Sequence, residues 1–158
     1  MQFDLRQGEE YRFYVTASNV YGPSIPSPDC IYKTGTTPAK MSEITGHNHK
    51  DFDIDIMWEK PDSNGSPITG YEIQIWNKMT REFVEDLDVC DGSRPKVRDE
   101  LKCLLSSQQA QDRFGYEPGD IFRAIVRAKN KWGPGNWSLP NQADNNEEYS
   151  NAYVFKLE

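Results

Sequence analysis

One internal repeat limits what this chain can fold into more than any other feature. The segment that begins at Gly8 and ends at Pro23 returns between Gly119 and Pro134, and every matched position is 111 residues later. The Gly, Val, Ala, Asn, Gly and Pro residues of the two copies are identical in register. Chance is a poor explanation for so many matches, so the chain contains two copies of one structural unit.

Each copy of the repeat carries apolar residues at alternate positions. They are Tyr11, Phe13, Val15 and Ala17 in the first copy, and Phe122, Ala124, Val126 and Ala128 in the second. A period of two is typical of a half-buried β-strand. An Asn followed by a Gly-Pro turn ends the pattern in both copies, which predicts one strand and one turn per copy.

The same alternation continues between the two copies. Residues 52–58 and 71–76 alternate, and the segment between them, 61–67, is rich in turn-forming residues. Further short strands are predicted at residues 41–45, 81–89, 101–105 and 152–157, and at most one short helical turn at 106–113. With the strand after Gly119 this makes seven, and seven short strands joined by turns predict an all-β, antiparallel, immunoglobulin-like sandwich.

Several of these segments resemble the fibronectin type III family. Trp58 precedes a proline-containing turn, residues 62–73 read Asp-x-Asn-Gly-x-Pro-Ile-x-Gly-Tyr-x-Ile, and an Ala-x-Asn-x-x-Gly strand end occurs twice. The resemblance implies one complete domain at residues 37–158, preceded at residues 1–36 by the C-terminal strands of another. Pairing of residues 1–36 with a second chain is the alternative, because exposed strand edges recruit other strands.

The chain departs from the family pattern in three places. The usual Leu-x-x-Gly-x-x-Tyr corner is present as Leu5, Gly8 and Tyr11, but the second copy has Tyr116, Gly119 and Phe122, and Phe122 has no hydroxyl group. Two stretches, 90–111 and 141–150, are longer than the pattern requires.

Charge and motif content favour a protein-binding module and not an enzyme. The net charge is −7, which disfavours nucleic acid as a partner. No run approaches the roughly 20 apolar residues of a membrane span. No nucleophile elbow, phosphate loop or zinc-protease motif occurs, and neither His47 with His49 nor the alternating Asp51, Asp53 and Asp55 has the spacing of a metal site. The sequence therefore predicts no catalytic residue, cofactor or metal.

The three cysteines, Cys30, Cys90 and Cys103, cannot all pair within the chain. A bond between Cys90 and Cys103 would close a short loop and contribute about 3 kcal/mol to stability. It would fit an extracellular protein. Two reduced thiols in a cytosolic protein are equally compatible with the spacing.

One group of aromatic and basic residues is predicted to share the outer face of the sheet. Trp76 points away from the core if its alternate neighbours point inward, and Arg123 and Arg127 lie on the outer side of their strand for the same reason. Trp132 and Trp137 follow in the next segment. These five residues predict either a structural stack that covers the sheet or a face that binds another protein, since exposed Trp and Arg are enriched at binding hot spots.

The resemblance implies a structural and protein-binding module in a multidomain array, with an adhesive or spacer role. Its expected partners are other proteins, including neighbouring domains of the parent chain. Two further roles are compatible with the residues: an intracellular scaffold in a cytoskeletal or ciliary assembly, and a cytokine-receptor-like ligand-binding module. An extracellular or cell-surface location is the first expectation and a cytoskeletal or ciliary location the second.

Overall fold

An antiparallel β-sandwich follows two short antiparallel strand pairs in the chain. The computed structural model describes residues 5–6, 8–48, 53–117, 119–141 and 153–154. The strands are β1 (Glu10–Phe13), β2 (Ser18–Asn19), β3 (Gly22–Pro23), β4 (Cys30–Lys33), β5 (Thr45–Asn48), β6 (Ile54–Met57), β7 (Ile68–Asn77), β8 (Glu82–Val84), β9 (Lys102–Leu105), β10 (Ile121–Phe122), β11 (Ala124–Asn130), β12 (Gly133–Pro134) and β13 (Tyr153–Val154). Two helices are α1 (Pro95–Glu100) and α2 (Ser107–Phe114).

The larger sheet has the strand order β12-β11-β7-β8. Strands β7 and β11 pair with Val126 opposite Ile73 and Ala124 opposite Ile75. Residues directly opposite each other share a face, so the alternate apolar residues of both strands point the same way. All four of these side chains are buried.

The second sheet has the order β5-β6-β9 and supplies the other half of the core. Ile54 pairs with Leu105 and Ile56 with Cys103, and all four are buried. Trp58, at the end of β6, is 4% exposed, and its ring lies 5.4 Å from that of Tyr71 on the opposite sheet. The predicted antiparallel sandwich is therefore confirmed, with Trp58 between its two sheets.

Two of the predicted strands are placed or bounded wrongly. The strand expected at residues 41–45 begins only at Thr45, although Met41 and Ile44 are buried in the core without strand pairing. The strand expected at 81–89 is limited to Glu82–Val84, because the amide groups of Val89 and Cys90 both donate to the carbonyl of Asp86 and form a turn. Of the strand expected at 152–157, only Tyr153 and Val154 lie within the described residues.

The prediction of at most one helical turn is wrong, since the long stretch after Cys90 contains two helices. Helix α1 has a proline in its first turn, where the missing N–H costs nothing. Helix α2 begins with a capping box, in which the Ser106 hydroxyl accepts from the amide of Gln109 and the Gln109 side chain accepts from the amide of Ser106. Ala110 and Phe114 attach α2 to the core.

Equivalent residues of the two copies are 111 positions apart up to the Gly-Pro turn, but the strands that follow are farther apart in the sequence. Strand β1 pairs with β4 (Tyr11 opposite Tyr32), and β10 pairs with β13 (Phe122 opposite Tyr153). Tyr153 follows Tyr32 by 121 residues, ten more than the repeat spacing, which matches the extra stretch predicted at 141–150. The Asn141 side chain bonds the backbone between β10 and β11. Its amide group donates to the Phe122 carbonyl and its oxygen accepts from the Ala124 N–H, both at 2.8 Å.

Candidate functional site

The outer face of the larger sheet holds a stack of Trp137, Arg127 and Glu72. The guanidinium carbon of Arg127 lies 4.3 Å from the ring centre of Trp137. The Nε atom of the same guanidinium donates to the Glu72 carboxylate at 2.6 Å. Lys129 approaches that carboxylate at 3.9 Å. Because Glu72 already neutralises Arg127, this stack is first a cover for the sheet, worth about 0.5–1 kcal/mol for its cation–π contact.

Local pairing explains why Trp137 meets Arg127. The segment after β12 returns along β11, since the amide of Ser138 donates to the carbonyl of Val126 at 2.8 Å. The amide of Val126 in turn donates to the Ser138 hydroxyl at 3.1 Å. Ser138 is therefore fixed on the core side, and its neighbour Trp137 falls on the outer side next to Arg127.

Arg123 and Trp76 form a second part of the outer face. Trp76 pairs across the strands with Phe83, and their rings meet edge to face at 5.2 Å. The amide of Trp76 donates to the carbonyl of Arg123 at 2.9 Å, so the two residues are neighbours in the sheet. Arg123 is exposed and forms no ion pair within the described part of the chain. This cation is thus available to a partner, whereas Arg127 is engaged.

Trp132 does not belong to the outer face. It is 54% exposed at the tip of the β11–β12 hairpin, with the Lys131 ammonium group 5.1 Å from its ring centre. Its indole lies against the segment that joins the two copies of the repeat, because a Cβ atom added to Gly35 would stand 3.2 Å from the Trp132 Cδ1 atom. The structure therefore places Arg127 next to Trp137 and Arg123 next to Trp76. Trp132 lies apart from both pairs.

The joining segment, residues 35–38 and called the linker below, is held from two sides. The Asn130 side-chain amide donates to the carbonyl of Thr36 at 2.7 Å. On the other side the amide of Thr36 donates to the carbonyl of Asn64, and the Asn64 side chain donates to the carbonyl of Thr37 at 2.9 Å. The strand pattern did not predict either asparagine as a site residue. The signal was present, since Asn130 is a polar residue that recurs in both copies and lies at a buried position of its strand.

Tyr116 supplies a buried hydroxyl next to Phe122, which has none, but it bonds a different backbone amide from that of the corner in the first copy. In the first copy the Tyr11 hydroxyl accepts from the amide of Arg6 at 2.7 Å. In the second copy the Tyr116 hydroxyl accepts from the amide of Arg123 at 3.2 Å, and its ring packs 5.6 Å from that of Phe122. Burial raises the pKa of Tyr116 to about 12, despite the opposing effect of the Arg123 amide and charge.

Cys90 and Cys103 form a disulfide whose Cα atoms are 5.6 Å apart. Both residues are buried, and the bond closes the loop that contains α1. Cys30 is exposed and free. The disulfide fastens this longer-than-usual loop to the sheet that contains β6 and β9, where Cys103 lies opposite Ile56.

No group of three or more metal-ligating side chains occurs in the described ranges. Neither α1 nor α2 has the length and apolar composition of a membrane span, and they are the two helices in the part of the chain that the structure describes. His49 and Asp51, considered above as metal ligands, lie outside the described residues.

Comparison with known proteins relates this geometry to one domain type. No protein-family model matches the chain. The fibronectin type III domain containing protein 3C1 of Mus musculus is 28% identical over 117 residues, which is 68% of this chain and 7% of that protein.

Solved structures share the fold at low sequence identity. Domains A168-A170 of titin match 97% of this chain and 43% of that chain, with 15% identity and a TM-score of 0.53. The FN1-FN3 domains of chicken CNTN1 match 83% and 41% (20% identity, TM-score 0.52), and domains d3-d4 of the rat CD45 extracellular region match 89% and 66% (15% identity, TM-score 0.52). These likenesses show that the chain has the immunoglobulin-like β-sandwich fold of these structures, and its similarity to the mouse protein supports a fibronectin type III domain.

Proposed function

We propose that this chain is a non-enzymatic spacer and protein-binding segment of a multidomain fibronectin type III array. Residues 37–158 form one complete domain, and residues 1–36 are the C-terminal strands of the domain before it. The coarser role, a structural or protein-binding module, agrees with the fold that the chain shares with its structural relatives. The adhesive or spacer role and the domain boundaries are the proposal.

A difference in burial between equivalent residues carries the proposal. Val126 of the second copy is fully buried beneath the opposite sheet, whereas its equivalent, Val15, is 73% exposed. Phe13 is 48% exposed, although its equivalent, Ala124, is fully buried. The first copy thus presents the apolar face that a second sheet covers in the second copy. Strands of a preceding domain are the simplest cover for that face, because a lone strand pair is only marginally stable in water.

A matched pair of substitutions tests this proposal. In the 158-residue chain, Val126→Ala is expected to lower the free energy of unfolding by roughly 2 kcal/mol, because it removes buried methyl groups and leaves a cavity. Val15→Ala is expected to change it by less than about 0.5 kcal/mol, as surface substitutions usually do. In a longer parent chain that supplies the preceding strands, Val15→Ala should cost as much as Val126→Ala.

Chemical denaturation of both chain lengths measures these values. The proposal is wrong if Val15→Ala costs the same small amount in the longer chain, because the apolar face would then remain uncovered there. It is also wrong if Val15→Ala already costs as much as Val126→Ala in the 158-residue chain at micromolar concentration, since a second copy would then cover the face.

The Arg123 and Trp76 part of the outer face supports a partner-binding role, as in a receptor module. Arg123, which has no ion pair among the described residues, and the partly exposed indole of Trp76 are residue types that dominate binding energy at interfaces. Arg123→Ala should reduce capture of a binding partner at least tenfold without lowering the melting temperature. Arg94→Ala is the matched control, since Arg94 is exposed just before α1, away from this face, and pairs with Asp91. Equal loss in both variants would show that binding depends on general charge and not on this face.

The Cys90–Cys103 disulfide supports an extracellular or cell-surface location. Disulfides persist in oxidising compartments and are rare in the cytosol. If the chain is instead part of a cytoskeletal or ciliary scaffold, both cysteines are expected to be reduced. The mass of the protein isolated from its own cells, measured after thiol alkylation with and without reductant, distinguishes the two locations.

A further inference from the structure

We propose that Asn130 fixes the angle between two successive domains, or units, of the proposed array by binding the linker between them. Asn19 would have the same role at the preceding linker. The inference rests on the proposed array and adds how its geometry is fixed. It assigns a positioning function to a hairpin that belongs to neither the outer face nor the core. The contacts of the linker used below all lie within the described residues.

Asn130 connects three separate segments with one side chain. Its Oδ1 atom accepts from the amide of Trp132 at 2.9 Å and shapes the hairpin. Its Nδ2 atom donates to the Thr36 carbonyl at 2.7 Å and lies 3.3 Å from the carbonyl of Ser63. Asn130 is 6% exposed, so both ends of the amide work in a site that is nearly closed to water. Few side chains other than Asn can accept in the hairpin and donate to the linker at once.

The opposite side of the linker is bound by the turn that follows Pro61. Asn64 contributes its carbonyl to the amide of Thr36 and its side-chain amide to the carbonyl of Thr37. The amide of Ala39 donates to the carbonyl of Asp62 at 2.9 Å. The backbone of the linker is therefore hydrogen-bonded on both sides, which a free Gly-Thr-Thr-Pro connection would not be.

Close contacts remove the remaining freedom of the linker. A Cβ atom at Gly65 would stand 3.1 Å from the Cγ atom of Lys33 and 3.2 Å from the carbonyl oxygen of Thr34, both at the end of the first unit. A Cβ atom at Gly35 would meet the indole of Trp132. The turn and the hairpin thus touch the chain where it leaves β4, and the orientation of the first unit is set by these contacts.

The first copy of the repeat has the same hairpin, and within the described residues no segment equivalent to the linker lies against it. The Asn19 Oδ1 atom accepts from the amide of Tyr21 at 2.9 Å, as Asn130 does from Trp132. Tyr21 is 95% exposed, and a cleft of about 340 Å³ is lined by Asn19, Tyr21 and Gly22 among others. The occupant that fits is an extended linker entering the first unit from the unit before it, because the equivalent cleft holds such a segment.

One residue limits how similar the two linkers can be. Ser24 stands where the second copy has Gly135. A Cβ atom at Gly135 would lie 2.5 Å from the Pro38 carbonyl oxygen. A linker bound at Asn19 therefore cannot follow the full course of residues 35–38. It must diverge before the position that corresponds to Pro38, because the Ser24 side chain occupies that space.

NMR on the intact 158-residue chain tests the positioning role. In the unmodified chain, residual dipolar couplings from residues 8–33 and from residues 53–138 should fit one alignment tensor, and the amides of Gly35 and Thr36 should have order parameters near 0.85. In Asn130→Ala the two sets should need separate tensors, and the linker order parameters should fall below about 0.6. Asn19→Ala is the matched control and should change neither quantity.

Two further variants separate linker binding from a merely structural role. Asn130→Asp keeps the acceptor for the Trp132 amide but lacks the donor, so the hairpin shifts should persist while linker order is lost. Gly35→Ala displaces Trp132 without touching Asn130 and should also release the linker. The inference is overturned if one tensor still fits both sets in Asn130→Ala and Asn130→Asp, or if Asn19→Ala has the same effect as Asn130→Ala. The Val15 and Val126 comparison reports on the array itself and is independent of these outcomes.

Discussion

Removal of the Tyr116 hydroxyl isolates one hydrogen bond to the backbone beside Phe122. Tyr116 is 1% exposed, and its hydroxyl accepts from the amide of Arg123 at 3.2 Å. Tyr116→Phe keeps the ring and its contact with Phe122 and leaves that amide without this acceptor. A typical hydrogen bond contributes about 1 kcal/mol net, and a buried donor left unpaired costs about 1–3 kcal/mol. We therefore expect Tyr116→Phe to lower the free energy of unfolding by about 1–2 kcal/mol.

Urea denaturation followed by tryptophan fluorescence measures this loss. With a denaturant slope of about 2 kcal/mol/M, the midpoint should fall by roughly 0.5–1 M at an unchanged slope. The control is Tyr11→Phe, which removes the corner hydroxyl of the first copy and its bond from the Arg6 amide. Because Tyr11 is only partly buried in the uncovered copy, that change should cost less than about 0.5 kcal/mol.

The pH dependence gives a second reading of the same group. The pKa of Tyr116 is raised from 10.0 to about 12 by burial, so the folded state disfavours the phenolate. The stability that depends on a neutral Tyr116 is complete below pH 10 and is lost as the pH rises from about 10 towards 12. Tyr116→Phe should lose less stability than the unmodified chain over that window. Equal midpoints for the unmodified chain and Tyr116→Phe at neutral pH, or equal losses for Tyr116→Phe and Tyr11→Phe, would refute the stabilising role of the buried Tyr116 hydroxyl.

Two other predictions concern the long inserted stretches. Reduction of the Cys90–Cys103 bond should lower the unfolding free energy by about 3 kcal/mol in the chain-entropy model, seen as a lower melting temperature with reductant, whereas Cys30→Ser should have no effect. Asn141→Ala leaves the Phe122 carbonyl and the Ala124 amide unpaired in the core and should cost roughly 2–4 kcal/mol by denaturant titration, against less than 0.5 kcal/mol for the exposed Asn136→Ala. A small effect at Asn141 would mean that water replaces its amide there.

The part of the fold that alternation controls could be predicted from the sequence. Strand β7 has Tyr71, Ile73 and Ile75 on one side and Trp76 on the other, and the sheet confirms this order because a strand has only two faces. The helices were missed for the opposite reason. Helix α1 has six residues and α2 has eight, which is too short for a helical period to stand out, and their signals are local: Pro95 and the Ser106–Gln109 capping box.

The candidate site was predictable only within the strands, where side chains alternate between the core and the outer face. Strand alternation predicted an outward direction for both arginines: Arg127 stacks on Trp137, and Arg123 is exposed. This alternation does not continue through a hairpin, so it could not separate Trp132, which lies against the linker, from Trp137, which stacks on Arg127. Distance along the chain also concealed the role of Asn130, because its partner Thr36 lies 94 residues earlier.

Two of the apolar positions of the repeat change between the copies, whereas two polar side chains that bond particular backbone amides are kept. Phe13 corresponds to Ala124 and Tyr11 to Phe122, so the core side chains change size and polarity between copies. Ser27 and Ser138 each accept from a valine amide at 3.0–3.1 Å, and Asn19 and Asn130 each accept within their hairpins at 2.9 Å. A core exchanges one apolar side chain for another when its neighbours change in compensation, whereas a hydrogen bond within a hairpin requires its acceptor at one position. The recurring polar residues therefore indicate the role of the repeat better than its apolar residues do. In this chain one of them, Asn130, binds the linker.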